Sequence, residues 1–234
     1  MVLFYSVLHE KGGRSKNEDS LALHRCETRA GDLTMALICD GMGGEEAGEV
    51  ASGYVVERLS VWFYDELPES LRNGFNRGKI QRSLQRALFR IHEELRHYGL
   101  EHMLRCGTTM TMLLILNRRY ISFQCGDSMA YRLGRSIRSI VKCQGDGRGL
   151  KSCIGIGRFQ NPQMHCGRLS GRSAFLLLSD GLTKKLNEKD YQAALCPGLI
   201  RQPEDAKKAL RSLVRIAEKR GEEDNMSALY LRCG

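Results

Sequence analysis

The residues best suited to chemistry are carboxylates, set in short motifs from one end of the chain to the other. They read Arg14-Ser15-Lys16-Asn17-Glu18-Asp19, Asp40-Gly41-Met42-Gly43-Gly44, Gly126-Asp127-Ser128, Ser179-Asp180-Gly181 and Asp224-Asn225. The last four follow or adjoin apolar runs of strand character, at 33–39, 120–125, 174–178 and 226–231. A carboxylate at a strand end, beside a glycine, is held on a stiff scaffold while its oxygens stay exposed. Hard cations such as Mg²⁺ and Mn²⁺ take oxygen ligands of this kind, and Mg²⁺ keeps part of its shell as water. Any one of these residues alone reads as a turn aspartate or a helix cap. Together they point to a shared metal site.

The elements that must position them follow from hydrophobic period. Residues 2–8 and 21–25 are short apolar runs flanking the first motif, and both predict strands. The stretch 33–39 is almost continuously apolar, as expected of a strand covered on both faces, and it delivers Asp40 into a glycine-rich turn. Residues 45–67 predict a helix with acidic residues in its first turn and Pro68 just past its end. A second helix is predicted over 79–98, where Ile80, Leu84, Leu88, Ile91 and Leu95 repeat at helical spacing. Short strands at 109–116, 120–125, 130–133 and 137–141, tightly connected, predict an antiparallel meander. A buried strand at 174–178, helices at 188–195 and 204–220, and a strand at 226–231 complete the chain. Strands in runs and helices in pairs indicate an α+β architecture of two packed sheets with helices outside.

In this order, Arg-x-x-Asn-Glu-Asp, Asp-Gly-x-Gly-Gly, Gly107-Thr108-Thr109, Gly-Asp-Ser, Ser-Asp-Gly-Leu and Asp-Asn are a specific signal. The chain resembles the metal-dependent protein serine/threonine phosphatases of the PP2C (PPM) family, most of all the compact bacterial members, from about Val2 to Leu231. The resemblance implies an αββα sandwich, two mostly antiparallel β-sheets flanked by helix pairs, formed as a single domain over 1–234. It implies hydrolysis of phosphoserine and phosphothreonine in proteins by a water bridging two Mn²⁺ or Mg²⁺ ions. Asp40 would then bridge both ions, Asp180 and Asp224 would complete one shell, and the Gly41 carbonyl and Glu18, the latter through water, would hold the other. Asp127, with Asp180, matches a place for a third, weaker ion, and Asp19 supports the water network. Arg14 stands at the phosphate-clamp position, where a guanidinium holds two phosphate oxygens at once. Asn225 and Ser179 are candidates to orient neighbouring carboxylates, and equally turn or cap residues. Gly107-Thr108-Thr109 reads as structural, its glycine permitting close backbone approach.

Composition bounds the remaining classes. The 234 residues carry 36 basic and 27 acidic side chains, a formal charge of +9. Aromatics are not interleaved with the basic stretches, so the charge reads as a solvated face able to steer acidic or phosphorylated proteins, and no nucleic-acid partner is expected. No apolar run approaches the ~20 residues that span a bilayer, and no secretory leader pattern is present. A cytoplasmic protein with no membrane partner is the expectation, with a monomer as the default. Nine cysteines without a Cys-x-x-Cys pair fit reduced, mostly buried thiols, Cys39 and Cys125 among them. The implied partners are phosphoserine and phosphothreonine proteins, a serine/threonine kinase and its substrates. The competing reading is a catalytically weak or inactive pseudo-phosphatase that binds a phosphoprotein. Intact Asp40, Asp180 and Asp224 speak against it.

Three departures from the family pattern stand out. Met42 replaces the histidine of many eukaryotic members and leaves the general acid unassigned, with metal-bound water the default. Met129 replaces an arginine, a change expected to affect packing. The stretch between Asp127 and Asp180 is shorter than in bacterial relatives, so 142–171, rich in glycine and basic residues, reads as a shortened flap. The short flap implies either looser substrate selection or selection through basic residues such as Arg148 and Arg158; in the second case Arg148→Ala/Arg158→Ala will narrow the difference in turnover between acidic and basic phosphopeptides. Equal turnover profiles of variant and parent across charge-varied peptides would refute it.

Overall fold

Side chains alternate across a strand, and that alternation explains the layers of this molecule. The computed structural model describes residues 2–43, 47–144, 152–169 and 173–234. In β3 (Gly31–Met42), Leu33, Met35, Leu37 and Cys39 join one apolar cluster while Ala36 and Ile38 join another. In β10 (Ser173–Leu178), Ala174, Leu176 and Leu178 face one side, and Phe175 and Leu177 the other. Strands whose runs are almost continuously apolar are therefore buried on both faces.

Two antiparallel sheets result. One orders β1 (Val2–Glu10), β11 (Met226–Cys233), β10, β7 (Met129–Leu133) and β8 (Ile137–Ser139). The other orders β2 (Asp19–Thr28), β3, β5 (Met110–Leu116), β6 (Arg119–Cys125) and β9 (Gln163–Arg168), with the two-residue β4 (Gly107–Thr108) against the end of β3. Between the sheets lie Ala36, Ile38, Leu113, Phe175, Leu177 and Leu229. The outer face of the second sheet packs on α1 (Ala47–Asp65), α2 (Leu67–Leu71) and α3 (Arg77–His102), with Trp62 and Phe63 fully buried. The outer face of the first carries α4 (Asp180–Thr183), α5 (Glu188–Leu195) and α6 (Pro203–Lys219), whose Ala206, Leu210, Leu213 and Ala217 form its apolar stripe. This is the expected α+β, αββα arrangement. Among the described residues no helix is long and apolar enough to cross a membrane.

Four details differ from the sequence reading. The predicted helix over 45–67 ends at Asp65, and Pro68 sits in the first turn of α2, where its missing N–H leaves no bond unmade. The predicted meander is split: β6 pairs with β5 and β9, whereas β7 pairs with β10 and β8. The chain changes sheets at Gly126, whose φ of +106° favours glycine and whose side hydrogen faces Thr109. Part of the region read as a flap is the edge strand β9, while Gly145 to Gly149, with Arg148, lie outside the described residues. Asp40 lies within β3 rather than in a turn, because Gly41 and Met42 go on to pair with Thr108 and Gly107.

Leu177 is fully buried between the sheets, whereas Leu100 on α3 is 71% exposed. Leu177→Ala is expected to lower unfolding stability by about 2–5 kcal/mol in a urea titration. Leu100→Ala should change it by less than about 0.5 kcal/mol.

Candidate active site

Antiparallel pairing brings the ends of five strands to one rim of the sandwich. Glu18 precedes β2 and Asp19 opens it, directly opposite Asp40 on β3. Asp127 sits where the chain passes from β6 to β7, Asp180 is the first residue of α4 after β10, and Asp224 precedes β11. Asp40, Asp127 and Asp180 line a cavity of about 470 Å³ together with Met42, Arg105 and Thr109. Arg14 and Asp224 line a second hollow of about 550 Å³. Lys184 links the two: its Nζ lies 2.7 Å from Asp180 Oδ2 and 2.8 Å from Asp224 Oδ2.

The backbone under these carboxylates is tightly held. The Asp40 N–H donates to Thr109 Oγ1 at 2.9 Å, and the Asp40 carbonyl accepts from the Thr109 N–H at 2.8 Å and the Thr108 hydroxyl at 2.9 Å. Gly107-Thr108-Thr109 thus clamps the peptide of Asp40. Asn225 ties the first motif to β11. Its Oδ1 accepts from the Glu18 N–H at 2.9 Å, and its Nδ2 donates to the Lys11 and Lys16 carbonyls at 2.8 and 2.9 Å. Ser179 Oγ accepts from the Ser227 N–H at 2.9 Å, fixing the turn that presents Asp180. Gly48 on α1 lets the Glu18 carboxyl lie close, since a Cβ there would approach its Cδ to 2.8 Å.

Electrostatics divides the site in two. Burial, then repulsion from Asp19, Asp180, Asp127 and Asp224, raises the pKa of Asp40 well above the carboxylate range. Burial pushes Asp19 up to about 6, against the pull of the Ser227 and Ser179 hydroxyls, and its buried Oδ2 has no hydrogen-bond partner among the described residues. Asp127 is raised by burial and by Asp180, and Glu18 by burial, partly offset by Arg14. On the other side, despite burial, hydrogen bonds and attraction from Lys184 and a hydrogen bond from Arg14 hold Asp224 below its ordinary value. Lys184 is in turn raised by Asp180 and Asp224 despite its own burial. The Arg14 Nε lies 2.9 Å from Asp224 Oδ1.

Negative charge is therefore in surplus around Asp40, and among the described residues no cationic side chain pairs with it. Oxygen-only donors with surplus charge fit hard divalent ions, and the Lys184 ammonium is a stand-in cation at the outer pair. No three described His, Cys, Asp or Glu side chains close into a ready metal shell. The ammonium stands between Asp180 and Asp224 instead.

All nine residues singled out from sequence (Arg14, Glu18, Asp19, Asp40, Gly41, Asp127, Asp180, Asp224 and Asn225) lie at or beside this rim. Lys184 and Arg105 were missed. Lys184 follows Asp180 by four residues, one helical turn, a spacing that puts two side chains on one face. For Arg105 the sequence offers no signal, because the fold of 104–106 brings it to the cavity. A separate hollow of about 780 Å³ lies on α2 and α3, closed by Phe159 and Asn161, and contains none of the nine.

Among known proteins, the serine/threonine phosphatase PstP of Mycobacterium tuberculosis is 28% identical over 254 aligned positions, which take in 98% of this chain and 45% of that protein. The chain thus spans about half the length of the curated relatives it matches. The Staphylococcus aureus serine/threonine phosphatase Stp1 superposes with a TM-score of 0.82 at 23% identity, over 100% of this chain and 96% of that one. The catalytic domain of PstP in complex with two manganese ions gives 0.76 at 24% identity, over 100% and 99%. The family match runs over residues 9–226, from ahead of the first acidic motif to the first residue of β11, and the chain belongs to the protein phosphatase 2C family.

Proposed function

We propose that residues 1–234 act as one metal-dependent phosphatase unit that hydrolyses phosphoserine and phosphothreonine in proteins. The observation that carries this reading is Asp40, a half-buried carboxylate at the cavity wall crowded by four others, with no cationic side chain paired to it among the described residues. Two divalent ions, Mn²⁺ or Mg²⁺, would neutralise that charge and supply an activated water for in-line attack on phosphorus. Asp40 would serve both ions, Asp180 and Asp224 would complete one shell, and the Gly41 carbonyl and Glu18, through water, would hold the other. Asp127 and Asp180 share a cavity wall and suit a third, weaker ion. Two manganese ions in the PstP catalytic domain support the same count here.

The chain's own residues do the remaining work. Arg14, with its side chain 60% exposed beside Asp224, can offer its guanidinium to the phosphate oxygens. Asp19 holds the inner water network, and Asn225 keeps the Arg14 to Glu18 segment in register with β11. Basic side chains outside the rim, such as the exposed Arg158, steer acidic phosphoproteins toward it. A kinase whose products are such proteins is the partner that fits, and nucleic acid and membrane have no part in this reading. We place the protein in the cytoplasm as a monomer. One observation favours the second reading, a weak or inactive pseudo-phosphatase that binds a phosphoprotein: an ammonium already lies between two of the carboxylates.

Phosphate release from a phosphothreonine peptide decides between them. Release is expected with Mn²⁺ or Mg²⁺, none with EDTA, and a fall of at least about 100-fold in Asp40→Asn and Asp180→Asn. Folded parent protein that releases no phosphate with either metal leaves the binding reading. The charge surplus also sets a pH dependence. Asp19 has a native pKa of about 6 against 3.8 for the free group, so it binds protons more tightly folded than unfolded. Its contribution to stability is greatest below 3.8 and is lost as pH rises through about 6. In EDTA, Asp19→Asn should be more stable than the parent at about pH 7.5, and the gap should shrink by about pH 5. Comparison with this isosteric variant cancels the opposing effect of His9, His24 and His92, whose pKa values burial lowers. A gap independent of pH in urea titrations would contradict the assignment.

A further inference from the structure

Lys184 is the cation nearest the candidate metal centre, and nothing in the family's acidic motifs accounts for it. It lies one turn past Asp180, just beyond the short helix that follows β10. Its ammonium lies 2.7 Å from Asp180 Oδ2 and 2.8 Å from Asp224 Oδ2, while Asp224 Oδ1 is engaged by Arg14 at 2.9 Å and by the Asn225 N–H at 3.0 Å. Both oxygens of Asp224 are therefore committed. A divalent ion ligated by these two carboxylates sits about 2.0–2.6 Å from their oxygens, close to the place the ammonium holds. Two cations cannot share that place.

We propose that Lys184 is a built-in counter-cation of the metal centre, holding Asp180 and Asp224 together until the ion they share displaces it. The proposal rests on the metal-site reading given above. The geometry suits displacement: the two carboxylates are 20% and 19% exposed, and Lys184 is 47% exposed, with a flexible stem that can carry its charge out toward solvent. The lysine stays protonated throughout. Ion entry then breaks two charge-assisted contacts before it makes its own, so this chain binds its outer ion more weakly than the same carboxylates would without the lysine. Metal loading becomes a competition between an ion in solution and a side chain that is always present, which moves half-occupancy to a higher metal concentration.

The test is direct Mn²⁺ binding to the full chain, by calorimetry and by electron paramagnetic resonance of unbound Mn²⁺, together with melting temperature in EDTA. Lys184→Met and the more conservative Lys184→Gln are expected to bind the weaker Mn²⁺ about tenfold more tightly than the parent and to melt lower without metal. Lys184→Arg, which keeps the charge, should stay close to the parent. Lys185→Met, in the same hollow but outside these ion pairs, controls for general loss of positive charge. Affinity that is unchanged or weaker in both uncharged variants overturns the proposal. The metal-site reading survives that result if Asp180→Asn and Asp40→Asn still lose Mn²⁺. No Mn²⁺ bound by the parent or any variant would overturn both.

Discussion

The rest of the structure depends on like charges held together at the rim between two sheets. Asp19 and Asp40 face each other across β2 and β3, and Asp127, Asp180 and Asp224 arrive from the chain changeover and the ends of the other sheet. Carboxylates directly opposite on neighbouring strands repel, and burial adds to the penalty. Such a cluster contributes nothing favourable to folding on its own. It survives because the apolar clusters behind it, between the sheets and under both helix layers, leave the strand ends no other arrangement.

The clamping is correspondingly specific. Thr108 and Thr109 bind both the N–H and the carbonyl of Asp40, so its side chain emerges from a peptide that cannot turn away. Asn225 reaches across to Lys11, Lys16 and Glu18 and makes the first motif part of the last strand's end. Rigid backbone beneath and uncompensated charge above is the combination that a divalent ion relieves, and groups with strongly shifted pKa values gather where function needs them. Lys184 and Arg14 relieve only the outer half, at Asp180 and Asp224. The site is therefore electrostatically uneven: a hungry inner carboxylate and an outer pair already partly satisfied.

Much of this was legible from residue pattern. The helix over 188–195 is found at those bounds as α5, with its capping box of Asn187 and Asp190, and the buried strands before Asp40 and Asp180 read from unbroken apolar runs. Local signals failed where a choice lay between partners of similar appearance. The strands 120–125 and 130–133 look alike in sequence, and only the turn at Gly126 sends them to different sheets. Likewise β9, polar and half exposed at the sheet edge, has no apolar period to announce it. Pro68 reads equally well as a helix end or a helix start, and packing of Leu67 and Leu71 beneath α3 decides for the start.

The sequence by itself determined the element types, the αββα class and the identity of the acidic residues, because those depend on period and on motif spacing along the chain. Only the tertiary structure decided which carboxylates are left without a counter-charge. The crowding of carboxylates around Asp40, the orphaned oxygen of Asp19 and the lysine between Asp180 and Asp224 all arise from contacts between segments far apart in the chain. Electrostatic energy depends on distance and solvent access in three dimensions, and neither is written in the spacing of residues.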